Sequence, residues 1–300
     1  MLERARGYFS VHDVLAVDTP ALSPSAGTDP NIESLRVESH EGSRYFLHTS
    51  PEFCMKRLLA AGYPDVYSIC RVFRDGEAGK GHAPEFTMIE WYRRNFDLDA
   101  IIADAIAFIA CVLDAPALSK TVECLDYRDA FLRYADIDIF AASSDALANR
   151  LNADTDLRKT LGEQRSDWLD LLLATGIAPK FKRDTLTVLR HYPADQAALA
   201  RLCPLDDRVA DRFEIFAGAI ELANGFVELT DAAEQRRRFE ADIARRRDSG
   251  KPVHPVDERF LSALDSGLPA CAGVAIGFER LQMIHDRTED IRDVMTFGFH

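Results

Sequence analysis

The sequence has no apolar run near the roughly 20 residues that a membrane-spanning helix needs, and no basic N-terminal stretch leading into an apolar one. Neither a membrane span nor a secretory leader is expected, and the reading is cytoplasmic. Cysteine is sparse, with six in 300 residues (Cys54, Cys70, Cys111, Cys124, Cys203, Cys271) and no close pairs of zinc-binding or disulfide-framework spacing. Reduced, mostly buried thiols are expected. There is no low-complexity tract and no repeat of roughly 20 to 50 residues, which excludes solenoids and propellers. No glycine-rich GxGxxG turn opens a helix after a strand, and no phosphate-loop lysine is present. Positive charge is short as well. A net charge of −13 excludes a protein whose main work is gripping a phosphate backbone and fits a basic protein partner better. The basic run Arg236, Arg237, Arg238, Arg245, Arg246 and Arg247 is interleaved with Glu234, Glu240 and Asp242 and reads as a solvated helix face.

What is present is enough apolar content, 47%, to bury a substantial core. Residues 44 to 49 read as a short strand and lead into a helix that Ser50 caps, with Pro51 at its first position and Gly62 just past its end. Residues 66 to 74 and 85 to 94 are rich in β-branched and aromatic side chains and predict an antiparallel hairpin with a long mobile tip. Residues 97 to 178 read mainly as helices, with Ile101, Ala105, Phe108 and Val112 at helical spacing. Strands are predicted near 186 to 190 and 212 to 223, helices near 231 to 248 and 257 to 266, and the end reads strand, helix, strand. Strand and helix do not alternate regularly. The expectation is therefore an α/β (α+β) fold with a mixed, mostly antiparallel sheet flanked by helices.

Three stretches carry chemistry. In the hairpin, Arg74 with Lys80 and His82 could clamp a triphosphate, or the loop could simply be solvated. On the return strand, period-2 geometry puts Phe86, Met88, Glu90 and Tyr92 on one face, a plausible pocket floor. In the second stretch, a turn at Ala217-Gly218 would set Glu214 directly opposite Glu221. Facing carboxylates repel unless a cation such as magnesium lies between them or both point to solvent. Asn224 and Glu228 flank Gly225, where a change of backbone direction is cheap. Glu52, Glu90 and Glu228 could surround an ammonium group, or be scattered over an acidic surface. In the third, Gly273 through Arg280 reads as a strand entering a helix, with glycines permitting close approach of a ligand or serving structure alone.

Taken in order, these stretches resemble the three signature motifs of class II aminoacyl-tRNA synthetases. Motif 1 resembles Val14 through Pro20, motif 2 Phe73-Arg74 through Tyr92, and motif 3 Gly273 through Arg280. Thr49-Ser-Pro-Glu52, Pro84 through Glu90 and Glu221 through Thr230 are similar to the lysine-specific branch. The resemblance spans essentially the whole chain and implies one class II catalytic domain over residues 1–300. Motif 1 begins about 14 residues in, so no anticodon-reading OB-fold domain is expected ahead of it.

The resemblance implies an ATP- and Mg²⁺-dependent ligase that activates lysine or (R)-β-lysine as an aminoacyl-adenylate. A truncated member of this kind would load a lysine side chain of elongation factor P, with no stable tRNA binding. Another acceptor (tRNA, lipid or small molecule) or a non-catalytic sensor of amino acid and nucleotide stands as the alternative. By the match of motifs, Arg74 would hold the α-phosphate and Arg280 the γ-phosphate, with Glu214 and Glu221 on magnesium. Gly76, Glu77, His82, Ala83, Leu222 and Gly277 would line the nucleotide site, and Ser50, Glu52, Glu90, Tyr92, Asn224, Glu228 and Ala275 the amino-acid site. Ala275 stands where lysyl-tRNA synthetases have glycine, and its methyl group would favour the shifted amine of β-lysine. Gly76 takes the place of the acid that usually faces adenine, because Arg74-Asp-Gly-Glu77 is one residue longer than the family's arginine-x-glutamate. Motif 1 usually builds a subunit interface in this class, so a homodimer is expected.

Overall fold

The computed structural model describes residues 1–298. Its strands are β1 (Leu15–Ala16), β2 (Leu22–Ser23), β3 (Arg36–Glu38), β4 (Arg44–Leu47), β5 (Val66–Phe73), β6 (Glu85–Arg94), β7 (Val122–Asp126), β8 (Leu186–Pro193), β9 (Leu202–Cys203), β10 (Asp206–Ala217), β11 (Ile220–Val227) and β12 (Cys271–Gly277). Nine form one sheet in the order β1-β5-β6-β12-β11-β10-β8-β7, with β9 beside β10, and β2-β4-β3 make a small second sheet. Along the main path only the outermost pairs, β1 with β5 and β7 with β8, are parallel. The fold is thus the mixed, mostly antiparallel α/β arrangement expected from the sequence.

The helices are α1 (Leu2–Val11), α2 (Glu52–Ala60), α3 (Leu98–Val112), α4 (Tyr127–Ala135), α5 (Ser144–Arg150), α6 (Thr155–Leu161), α7 (Arg165–Leu172), α8 (Ala232–Asp248), α9 (Glu258–Gly267) and α10 (Phe278–Asp286). Asp97 caps α3 by accepting the Ala100 N–H at 2.9 Å, and the buried stripe Ile101, Ala105, Phe108 and Val112 seats that helix, with α1, on one face of the sheet. The residues facing it alternate along the strands: Ile89 and Trp91 on β6, Val274 and Ile276 on β12, Phe213 and Ile215 on β10. Each such aliphatic or aromatic side chain withdrawn from water contributes about 1.5–3 kcal/mol. The other face of these strands is left for the site.

Several expectations are corrected. A strand, β7, interrupts the segment read as helical from 97 to 178, because its five residues are too few to show a period. Among the described residues the chain ends in a short 3₁₀ turn at Ile291–Asp293 after α10, not in a strand. The helix after Ser50 starts at Glu52 with Pro51 preceding it, although Ser50 Oγ still accepts the Glu52 N–H at 3.0 Å. Only Cys271 of the six free thiols is buried, and Cys111 and Cys124 are exposed. Arg246 is not part of a solvated face. It is fully buried, donating to the carbonyls of Asp29 at 2.8 Å and Pro252 at 2.7 Å and pairing with Glu33, and so ties α8 to the loop before β3.

Candidate active site

Two rungs of the sheet organise the site. One runs Glu90, Ala275, Asn224, Glu214 across β6, β12, β11 and β10, and the next runs Tyr92, Gly273, Phe226, Arg212. Strands lie about 4.8 Å apart, so three spacings set Glu90 and Glu214 roughly 14 Å apart along the first rung. Gly273 is glycine because a Cβ there would stand 2.4 Å from the Tyr92 ring and 2.7 Å from Glu228 Oε1; its space belongs to protein, not ligand. Gly225 likewise makes no turn. It lies within β11, where a Cβ would meet the Gly273 carbonyl and the Phe213 ring at 2.7 Å.

The hairpin register differs from the expected one. The turn is Gly218-Ala219, with Gly218 at φ +58, so Ala217 pairs with Ile220 and Glu221 stands opposite Phe216. Glu214 pairs with Asn224. A β-bulge between Ile215 and Phe216 on the β10 side absorbs one extra residue of β11 and puts both Leu222 and Ala223 into the core. Without it, strict alternation would send Glu221 to the face away from Asn224; with it, both acids reach the same cavity.

That face opens into two adjoining cavities. The larger, 430 Å³, is walled by Ser50, Glu52, Glu90, Tyr92 and Glu228. The smaller, 250 Å³, is walled by Glu77, His82, Ala83, Glu214, Glu221, Leu222, Gly277 and Arg280. Arg74, Asn224 and Ala275 line both, while Gly76, at φ +76, lines neither. The residues that sequence reasoning named therefore line these two cavities, Gly76 excepted.

It missed Lys56. Its ammonium is buried between Glu52, whose Oε1 accepts at 2.6 Å, and Glu228, so the acids read as waiting for a cation already hold one. Burial opposes the charged ammonium, but Glu228 and Glu52 outweigh it and raise its pKa. The i, i+4 spacing of Glu52 and Lys56 on a helix was the available signal. One cation does not balance three acids. Burial pushes Glu90 up to about 7, with Glu52 adding to the shift, and pushes Glu228 up to about 8 despite Lys56. Ser50 Oγ donates to Glu90 at 2.8 Å and Tyr92 Oη at 2.5 Å; Tyr92 stays neutral because burial, then Glu90, raise its pKa far above the ordinary value. The pocket thus has two acids beyond the one that Lys56 balances, both drawn toward their protonated forms, and suits a ligand whose two amines would ionise them.

In the smaller cavity, Arg280 is fixed by the Glu221 carbonyl at 3.0 Å, the Glu221 carboxylate at 3.2 Å and His82 Nε2 at 3.0 Å. Burial and Arg280 hold His82 below its usual pKa, so its ring accepts as a neutral group. Glu279 anchors the helix by accepting the Thr87 N–H at 2.9 Å. Arg212, also missed, donates to Glu214 at 2.6 Å, Asn224 at 3.2 Å and the Gln196 carbonyl at 2.7 Å, and stacks on Tyr192. Even so, burial and Glu221 push Glu214 up to about 7. Two hard carboxylates on one cavity wall, each also held by an arginine, fit a divalent cation that arrives with a polyphosphate. A second ligand cluster, His191, Cys203 and Asp211, lies outside both cavities, with His191 on Asp126 at 3.1 Å and Asp211 on Arg201 at 2.7 Å.

The chain is 42% identical over 99% of its length, and 92% of the relative's, to an elongation factor P–(R)-β-lysine ligase of Photorhabdus laumondii subsp. laumondii. It is equally similar to the ligase of that name from Proteus mirabilis and 40% identical to that of Edwardsiella ictaluri, with the same coverage. The family of tRNA synthetases class II (D, K and N) matches residues 1–300, and the chain belongs to that family.

Proposed function

We propose that the protein activates (R)-β-lysine or lysine with ATP as an aminoacyl-adenylate and transfers the acyl group to a lysine side chain of elongation factor P. The observation that carries this is the junction of the two cavities: an amine-selective acidic pocket and an arginine-bearing pocket share Arg74, so a substrate carboxylate and a nucleotide phosphate would meet there. The relatives' name supplies the acceptor and the β-amino acid. Ser50, Glu52, Glu90, Tyr92, Asn224 and Glu228 hold the amines, and Ala275, between Glu90 and Asn224 in the rung, shapes the floor beneath the carbon that separates them. Arg74 and Arg280 bind phosphate oxygens, and Glu214 with Glu221 would hold magnesium, which when bound neutralises charge on the departing pyrophosphate. No side chain acts as nucleophile. The net charge of −13 favours a protein acceptor over tRNA. A cytoplasmic homodimer is part of the same reading.

The test is ATP–pyrophosphate exchange with (R)-β-lysine, α-lysine and no amino acid, then the intact mass of elongation factor P. Exchange driven by β-lysine and one added lysyl mass on the factor are expected; no exchange with either amino acid overturns the reading.

Titration offers a further check. A diamine binds the ionised forms of Glu90 and Glu228, whose raised values, about 7 and about 8, mean that the empty pocket holds protons at neutral pH. Binding must expel them. The Kd is expected to rise about tenfold or more for each pH unit below 7 and to level off above 8, with protons released into the buffer. Calorimetry in two buffers of different ionisation enthalpy reads that release; equal heats at pH 7 would contradict it.

A further inference from the structure

The larger cavity extends well past the amine pocket, to a wall formed by α7 and the turn that follows β8, where Asp170, Ser166, Asp195 and Gln196 stand. None of these belongs to the motifs that organise the rest of the site. Gln196 is more than nine-tenths buried, and its Nε2 donates to Asp170 Oδ1 at 2.7 Å and to the Ser166 carbonyl at 3.3 Å. Both partners are acceptors, which fixes the amide orientation and leaves Oε1 as the free end. Gln196 Oε1 has no hydrogen-bond partner. That oxygen is sealed from the cavity, so Gln196 serves this wall by holding the Asp170 carboxylate in place and offers no acceptor to a ligand.

Among the described residues Asp195 is paired with Arg165 at 2.7 Å and Asp242 with Arg245, but Asp170 has no ion-pair partner. The surrounding wall pushes Asp170 up to about 6, Arg212 opposing and Asp167 adding to the shift. An unpaired carboxylate held by Gln196 on the wall of this cavity fits a cationic N–H donor, and a primary amine is one.

This wall is connected to the reacting end of the site. The Gln196 carbonyl accepts from Arg212, and Arg212 in turn holds Asn224 and Glu214. The amino-acid amines are already provided for at Glu90 and Glu228, so a further amine subsite calls for a second amine-bearing reactant.

Resting on the function proposed above, we infer that Asp170, positioned by Gln196, forms the acceptor subsite, which receives the lysine side chain that takes the acyl group. In the transfer step the neutral acceptor nitrogen bonds to the acyl carbon. The bond from that carbon to the phosphate oxygen breaks with its electron pair leaving on AMP, and the nitrogen's surplus proton passes to the Asp170 carboxylate and on to water in the cavity.

The two half-reactions separate the inference from the reading beneath it. Asp170→Asn is isosteric and breaks no ion pair. Pyrophosphate exchange with (R)-β-lysine should stay within twofold of wild type, as should trapping of the adenylate by hydroxylamine, an uncharged nucleophile that needs no carboxylate. Single-turnover transfer to elongation factor P should slow by at least twentyfold, with Asp170→Glu recovering part of it and Gln196→Met losing severalfold. Transfer at the wild-type rate in Asp170→Asn, or exchange falling in step with transfer, overturns the acceptor subsite and leaves the adenylation reading standing. No exchange in the wild-type protein overturns both.

Discussion

Replacing Arg74 by alanine is expected to cut amino-acid-dependent pyrophosphate exchange by roughly 10²- to 10³-fold, the usual cost of removing one donor aimed at developing charge. Arg74 follows directly on β5, its N–H bonded to the Pro84 carbonyl at 2.9 Å, and its guanidinium lies over the Phe86 ring with 5.2 Å to the centroid. These contacts orient the group without using its donors. Nε is buried with no acceptor, and Nη1 reaches Glu77 only at 3.4 Å. A guanidinium held in place and left short of acceptors, on the wall common to both cavities, is prepared for an anion that spans them. Because so little of its bonding is internal, Arg74→Ala should shift Tm by no more than about 2 °C. Arg74→Lys should restore only part of the rate, since an ammonium keeps the charge but not the planar fork. Exchange kinetics alongside a thermal melt separate the two effects. A variant that exchanges at the wild-type rate would remove Arg74 from the chemistry.

Much of this site was legible because its residues lie in short strings on regular strands. Glu85–Arg94 alternates cleanly enough that Met88, Glu90 and Tyr92 could be assigned to one face, and they are on it. The same alternation misled at β10 and β11, where a register counted from the turn takes no account of a bulge. Glu214 and Glu221 reach one cavity only because Leu222 and Ala223 share the core side, a feature of three-dimensional pairing that no local pattern displays. Long-range partners were invisible for the same reason. Arg246 looks like one more cation in a charged run until Glu33 and the Asp29 carbonyl, more than 200 positions away, are found against it. Asp170 lies in the segment read as helical and Gln196 beyond the strand predicted near 186 to 190, and what marks them is a carboxylate left without an ion pair and held by a buried amide, a pairing that exists only in the folded cavity.

Lys56 carries the second large effect, and it divides stability from function. Its ammonium side chain is 1% exposed and meets Glu52 and Glu228, the latter with no exposed side-chain surface. Removing one partner of a buried pair leaves an uncompensated charge, at a cost of about 3–5 kcal/mol, so Lys56→Met should lower the urea midpoint substantially. The carboxylates it leaves behind would bind protons more tightly still, because burial and mutual repulsion already raise Glu228 and Glu90. In Lys56→Met/Glu228→Gln only Glu52, whose side chain is 18% exposed, is left without its cation, and most of the lost stability should return; the difference between the double variant and the sum of the single ones measures the coupling. Function should not return with it. The neutral amide cannot offer an ammonium the charge that Glu228 supplies, so the refolded double variant is expected to exchange pyrophosphate at less than about a hundredth of the wild-type rate, a loss of roughly 2.7 kcal/mol or more in transition-state stabilisation. Lys56 would then be the group that lets two acids remain buried and ionisable in the absence of substrate, and a wild-type urea midpoint for Lys56→Met would show that the acids do not depend on it.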